Sequence, residues 1–580
     1  MPGPYLYPGV YVEETPSGVR PIAGVSTSDT AFVDFFARGA VDRAVRITSW
    51  GDFEREFGGL DLNSEASYAV QQYYLNGGRV AWIVRVAAPD ARAAERVLSG
   101  SQVYPGMSGV GASGAGASGE ILTVTASSPG RWGNNLQVAI DYRGVPLSAG
   151  SPDAFNLVVR EITKAGGKQL VVASETFRNL TPDATSSRFV ETVVNRDSRL
   201  VRVTYAGAGA LPSPTGSDVI GDPARARWLF LGQGGYQQGN ENDVRPADAS
   251  WLPVTFIVGN PGTMPDTDPW RKGAGAAALL GQDAGGQEAL NRGIYELERI
   301  APNVFNLLCI PAVARLSETS AASVWAAAAT LCEDRRAFLI VDVPETVTTL
   351  TQMADWANGD AKPQTNHAAV YFPRLQSPDP LRGNDLRSTA PSGTIAGVYA
   401  RTDAERGVWK APAGVEAGLR NASLPLQLTD LETGALNPIG VNVLRGFPIY
   451  GNVAWGARTL EGADQQASEW KYVPVRRTAL YIEESLYQGL KWVVFEPNDE
   501  PLWSQIRLNV GSFMQGLFRQ GAFAGSTPRA AYLVKCDSET TTPADVNLGI
   551  VNIIVGFAPL KPAEFVIIKL QQLAGQVGAS

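Results

Sequence analysis

The pattern of hydrophobic and polar positions changes several times along the chain. Residues 5–20 are rich in Tyr and Val but interrupted by Pro8, Gly9 and Pro16, with Pro4 and Pro21 flanking them, which predicts an extended segment rather than a helix. Residues 30–36 read as an apolar strand. Residues 64–76 read as a helix with Ser64 at its N-cap and Gly77-Gly78 past its end, and residues 80–86 as a strand again. From about 90 to 230 the pattern becomes one of short Val/Thr/Arg strands, such as 157–162 and 200–205, after a low-complexity run at 108–119. Strands (253–258, 304–310, 337–343, 368–372) and helices (287–300, 319–335) then alternate, which predicts a mostly parallel sheet covered by helices. The last third predicts helices at 475–490 and 503–520, then strands at 531–536, 548–555 and 564–570. The final strand carries Phe565 and Ile567 on one face and Val566, Ile568 and Leu570 on the other, with Lys569 among them. A strand apolar on both faces needs neighbours on both.

These elements define a multidomain α/β (α+β) fold, with mixed sheets flanked by helices, a β-rich inserted domain and extended N- and C-terminal β arms. The expected divisions are an N-terminal strand arm at 1–20, the first part of the α/β core at 21–90, and the β-rich outer insertion at 91–230. The core is completed at 231–400, a C-terminal inner domain occupies 401–560, and a strand arm closes the chain at 561–580. A length of 580 residues accommodates about four domains, each with its own core.

Composition narrows the function more than it identifies it. The formal charge of −8 over 580 residues gives no basic field for nucleic-acid phosphates. Cys309, Cys332 and Cys536 lie in apolar stretches without metal-ligand spacing and read as buried thiols. The N-terminal residues lack a signal-peptide pattern and no apolar run approaches the length of a bilayer span, so folding in the cytoplasm is expected.

Catalytic chemistry finds little to stand on. His367 is the one histidine and sits at the start of an apolar strand, so it reads as structural, and no His-Glu-x-x-His or paired Cys-x-x-Cys motif occurs. The glycine-rich stretches at 232–235 and 273–278 lack the strand, lysine or helix context of a phosphate cradle. Glu483 and Glu484 lie mid-helix, where pairing with basic side chains is the ordinary role. No catalytic residue, metal site or cofactor is therefore expected. An enzyme with a site in the β/α region at 250–375 stays as one alternative, and another self-assembling subunit, of a tube or a capsid, as a second.

Residues 392–414, SGTIAGVYARTDAERGVWKAPAG, closely resemble the signature of contractile-tail sheath proteins, of phage tails or contractile injection systems. So does RRTALYIEESLYQGLKWVVFEPN at 476–498 with the helix after it, and YPGVYVEE at 7–14 resembles the family's N-terminal arm. PGRWGNNL at 129–136 is a weaker match, and residues 90–230 depart most from the pattern. The resemblance implies a structural subunit that stacks as hexameric rings around an inner tube in a metastable extended state. Contraction then drives the tube through a target envelope. It implies partners in further copies of the chain, the inner tube protein, and baseplate and terminal cap proteins, with no direct nucleic-acid or membrane contact. Assembly would take place in the bacterial cytoplasm, the product being a virion tail or an injection particle. On this reading Tyr7, Val10, Tyr11 and Val12, with Phe565, Val566, Ile567, Ile568, Lys569 and Leu570, form the intersubunit strand arms. Arg507 and Arg519 on the 503–520 helix are the candidate tube contacts.

Overall fold

The computed structural model describes residues 20–87, 91–99, 120–145, 147–148, 151–165, 168–207, 209–215, 228–232, 256–257, 274–282, 291–302, 304–567 and 569. At its centre is an eight-stranded sheet. Its strands are β1 (Thr30–Asp34), β2 (Val45–Ile47), β3 (Ala81–Arg85), β4 (Leu307–Cys309), β5 (Phe338–Val341), β6 (Ala368–Phe372), β7 (Val441–Phe447) and β8 (Gly451–Ala454), in the order β2-β3-β1-β4-β5-β6-β7-β8. The six strands from β3 to β7 run parallel and the two outermost pair antiparallel. Every residue of β1, β3, β5 and β6 is buried, as a parallel sheet covered on both faces requires.

Two apolar clusters fill those faces. On one, Ala31, Val84, Leu308, Leu339 and Val370 pack with Val324, Trp325 and Leu331 of the helix Glu318–Asp334 and Met353 and Trp356 of the helix Leu350–Asn358. On the other, Phe32, Ile83, Cys309, Ile340 and Tyr371 meet helix α1 (Glu65–Asn76) and helix α2 (Ser392–Arg406). Ser64 caps α1 as the sequence predicts, accepting from the Ser67 amide, and Gly77, at φ 119°, closes it with a conformation that a side chain would disfavour. The α2 segment is the family-like motif, and glycine spacing explains its packing. A Cβ on Gly393 would sit 2.1 Å from the Ala69 carbonyl oxygen, and one on Gly397 2.6 Å from that of Tyr73. The two helices thus touch backbone to backbone.

The insertion forms two four-stranded sheets whose pairings are all antiparallel. Both sheets and the helix Val190–Asp197 share a separate core that includes Leu122, Val138, Phe155, Leu157, Val194 and Val203. Arg85 at the end of β3 fastens this unit to the main sheet. Its guanidinium donates to the carbonyls of Phe36 and Gly39 (2.8 Å each) and of Pro129 (2.7 Å), and Arg38 pairs with Glu161 at 2.6 Å. The PGRWGNNL segment at 129–136 therefore lies at the junction of the two units, with Trp132 buried.

A fourth cluster builds the C-terminal unit from helix α3 (Val473–Gly489), helix α4 (Glu500–Arg519) and a two-stranded antiparallel sheet of β9 (Tyr532–Lys535) and β10 (Ile554–Phe557). Ile22 joins that cluster from the other end of the chain. It lies against Gly489, where a Cβ would come within 2.6 Å of its side chain.

Several expectations need correction. The strand expected at 253–258 is not part of the parallel sheet: its described residues, Phe256–Ile257, pair antiparallel with Glu95–Ser99 in the insertion. The central sheet runs past residue 400, because β7 and β8 complete it. The stretch 548–555 is not one strand: a capped helix at Pro543–Asn547 and a turn at Gly549 (φ 72°) delay the ladder to Ile554. The expected helix at 287–300 is, in its described part, a 3-10 helix at Gly293–Ile300. Glu564 through Ile567 join no ladder among the described residues.

Candidate assembly surfaces

The two family-like motifs meet in the interior. Asp403 of α2 and Arg477 of α3 form a bidentate ion pair at 3.0 and 2.6 Å, each side chain about 3% exposed. Arg477 also donates to the Thr27 carbonyl (2.8 Å) and lies over the Tyr399 ring. A planar fork buried this deeply is stable only with both partners in place. Beside it, His367 faces the Arg476 guanidinium, and burial together with that cation holds its imidazole down at about 4. The ring is thus neutral at physiological pH and serves packing. Glu483 pairs with Arg476 (3.2 Å) and Glu484 with Arg336 (3.0 Å), the charge-pairing role expected of them.

Tyr7, Val10, Tyr11, Val12, Ile568 and Leu570 lie outside the described residues. Just past the first group, residues 20–25 are fixed along α3 and α4. The Arg20 amide donates to Asn509 Oδ1 (3.1 Å), its guanidinium sits 4.7 Å from the Trp492 ring centroid, and the Val25 amide donates to Ser485 Oγ (3.2 Å). At the other end Phe565, Val566 and Ile567 are 75%, 83% and 81% exposed, and Lys569 is exposed as well. Phe565, Val566 and Ile567 thus form a short exposed apolar run.

The β9–β10 sheet has two strands only, so each presents an outer edge with no ladder partner among the described residues. Leu533 and Ile554 are half exposed on it. Such a pair is marginal by itself and accepts further strands. Of the candidate tube contacts, Arg507 is engaged within the chain, paired with Glu500 at 2.5 Å and donating to the Cys536 carbonyl. Arg519 is exposed at the end of α4. The sequence pattern gave no sign of Asn509 and Trp492 as fixing points for residues 20–25. Asn509 and Trp492 look in sequence like ordinary core residues of helical segments.

Among the described residues no group of His, Cys, Asp and Glu is arranged to hold a metal ion, and no helix is long and apolar enough to cross a membrane.

Comparison with known proteins gives partial matches in sequence and a similar fold. Residues 465–572 match the phage tail sheath C-terminal domain. The chain is 31% identical over 166 residues to a tail sheath protein of Vibrio phage KVP40, covering 28% of this chain and 23% of that one. It is 28% identical over 184 residues to a putative prophage major tail sheath protein of Pseudomonas aeruginosa, covering 31% and 45%. These matches span less than half the length of the curated relatives. Over almost the whole chain the fold is similar to solved sheath structures. One is the helical sheath of the anti-feeding prophage in its contracted state, with TM-score 0.51, 22% identity and coverage of 98% and 99%. Another is a sheath tail protein from Listeria innocua, with TM-score 0.53, 13% identity and coverage of 93% and 96%.

Proposed function

We propose that this chain, which carries a phage tail sheath C-terminal domain at residues 465–572, is the structural sheath subunit of a contractile tail or injection machine. The observation that carries this reading is the C-terminal unit: an open two-stranded sheet followed by a segment whose apolar side chains Phe565, Val566 and Ile567 are exposed. A strand added to such an edge gains several backbone hydrogen bonds, each about 0.5–1.5 kcal/mol net, without requiring rigid contact between folded bodies.

The chain's arms, Tyr7 to Val12 at one end and Phe565 to Leu570 at the other, pair with the β9–β10 edges of neighbouring copies. Hexameric rings stack around an inner tube, in an extended lattice capped by baseplate and terminal proteins. Contraction moves subunits to a second packing that buries more complementary surface while the arms keep neighbours connected. The face of α4 that carries Arg519, with Arg507 on the same helix, meets the tube. Charged contacts at an exposed face are weak enough to release.

The test is a deletion. Full-length protein is expected to form tubes under negative-stain microscopy, and the chain lacking residues 1–19 to remain a folded, soluble subunit without tubes. Long tubes from the truncated chain would refute the arm model, and absence of any ordered polymer from the full chain in all conditions would refute the sheath reading.

A further inference from the structure

Beyond Pro559, which bridges to Phe523, the chain runs along an open groove of about 1030 Å³. Residues 560–565 line that groove together with Trp409, Lys410 and Arg445, so one side of the segment borders open space instead of packed side chains. Pro562 and Glu564 turn partly inward, while Leu560, Lys561, Ala563 and Phe565 are exposed. Apolar packing therefore fixes little of its course, and one side chain makes the difference. Glu564 accepts two hydrogen bonds from Arg458, from Nε at 2.8 Å and from Nη2 at 2.6 Å, and a third from the Tyr472 hydroxyl at 3.2 Å.

Arg458 is built to receive it. The Arg458 side chain is about 1% exposed, and its Nη1 is already committed to the Asn437 carbonyl (2.9 Å), the Gly462 carbonyl (3.3 Å) and Asp464 (3.0 Å). That leaves the Nε–Nη2 edge of the fork, a bidentate seat for a carboxylate, and Glu564 occupies it. The exposed Phe565, Val566 and Ile567 begin at the very next residue.

We propose that the Arg458–Glu564 pair is the anchor at which the C-terminal arm leaves this subunit, fixing the point and direction from which residues 565–580 reach a neighbouring copy. The assignment rests on the sheath reading for its neighbour, but the anchor itself is a property of the single chain. A tether that has to survive sliding between two packings needs a fixed origin, and a buried bidentate pair supplies one where a groove beneath the segment does not. Arg458 and Glu564 are thus positioning residues.

The experiment compares full-length wild type, E564Q and Y472F. Gln keeps the shape of Glu564 but presents an amide to the guanidinium fork. In the dispersed subunit, chymotryptic cleavage after Leu560 and Phe565 is expected to quicken about tenfold or more in E564Q, the scale of a charge-assisted hydrogen bond, and less in Y472F, with sites in β9 and β10 unchanged. Tube yield under assembling conditions is expected to fall in the same order while the melting temperature stays near that of wild type. Unchanged cleavage at both sites in both variants overturns the anchor. So does loss of cooperative folding in E564Q together with unchanged cleavage in Y472F, which would make the pair a core contact. Wild-type protein that never polymerises refutes the sheath reading instead, and the cleavage result still decides the anchor.

Discussion

Asp34 ends β1 and Asp342 directly follows β5, and both are fully buried. Each meets the start of a helix: Asp34 accepts from the Ala66 amide of α1 at 2.7 Å, and Asp342 from the Ser392 amide of α2 at 2.9 Å. Burial nevertheless pushes both carboxyls up to about 7. Glu65, equally buried, behaves differently: burial opposes its charge, but Arg374 and Arg315, each at 2.7 Å, with Arg387 at 3.6 Å, hold it below the ordinary carboxylate range. For Asp342 the sign follows from proton counting. Between the unfolded value near 3.8 and the folded value near 7 the native state holds a proton that the unfolded chain has lost, so its contribution to stability falls as pH rises through that window. His367 acts oppositely, but only between about 4 and 6.5. Stabilities from urea unfolding between pH 5 and 8 are expected to fall more steeply in wild type than in D342N, by about 1.4 kcal/mol per pH unit at most. Parallel pH profiles for the two proteins would show that Asp342 is ionised throughout. None of this network was legible in the sequence, because Glu65 meets Arg315 and Arg374 from 250 and 309 positions away. Local periodicity shows that residue 65 opens a helix and nothing about what gathers there.

At the scale of elements, the strands of the central sheet were readable because burial on both faces leaves continuous apolar runs, and α1 because its cap residues state its limits. What failed was assignment by neighbourhood. Phe256–Ile257 follows the pattern of the core strands, yet its ladder partner is Glu95–Ser99, and only long-range pairing decides that. The motif at 392–414 was legible as a resemblance but not as a mechanism, which is the glycine contact between α1 and α2. That contact makes a prediction in which one substitution has two signs. In G393A the new methyl meets the Ala69 backbone oxygen at 2.1 Å, and overpacking is expected to cost about 1–3 kcal/mol despite better helix propensity. In G511A on α4, where nothing lies within 4 Å, the same change is expected to stabilise by about 0.5–1 kcal/mol. Guanidinium unfolding of the purified chain measures both. Equal effects at the two sites would mean that propensity, and not the approach of α1 and α2, sets the requirement at 393.

The molecule as a whole divides by its apolar clusters more clearly than by its sequence pattern. The central sheet draws its strands from 30–85 and from 307–454, so the insertion interrupts a single folding unit, while α3 ties that sheet to the C-terminal unit through Asp403–Arg477. The insertion has its own core, and polar contacts such as those of Arg85 and Arg38 hold it to the sheet. Polar fastening of this kind contributes far less than a shared hydrophobic core. Residues 91–257 expressed alone are therefore expected to keep β-type circular dichroism and unfold cooperatively. Calorimetry of the full chain should then resolve a transition that coincides with that of the fragment. Replacing Arg85 by Leu is expected to lower the transition of the sheet while the insertion's stays at the fragment's midpoint, because the carbonyls of Phe36 and Gly39 on the sheet side and of Pro129 in the insertion lose a common donor. A fragment without cooperative unfolding would instead place the insertion and the sheet in one unit. The contacts at Arg85 would then be internal packing instead of a joint.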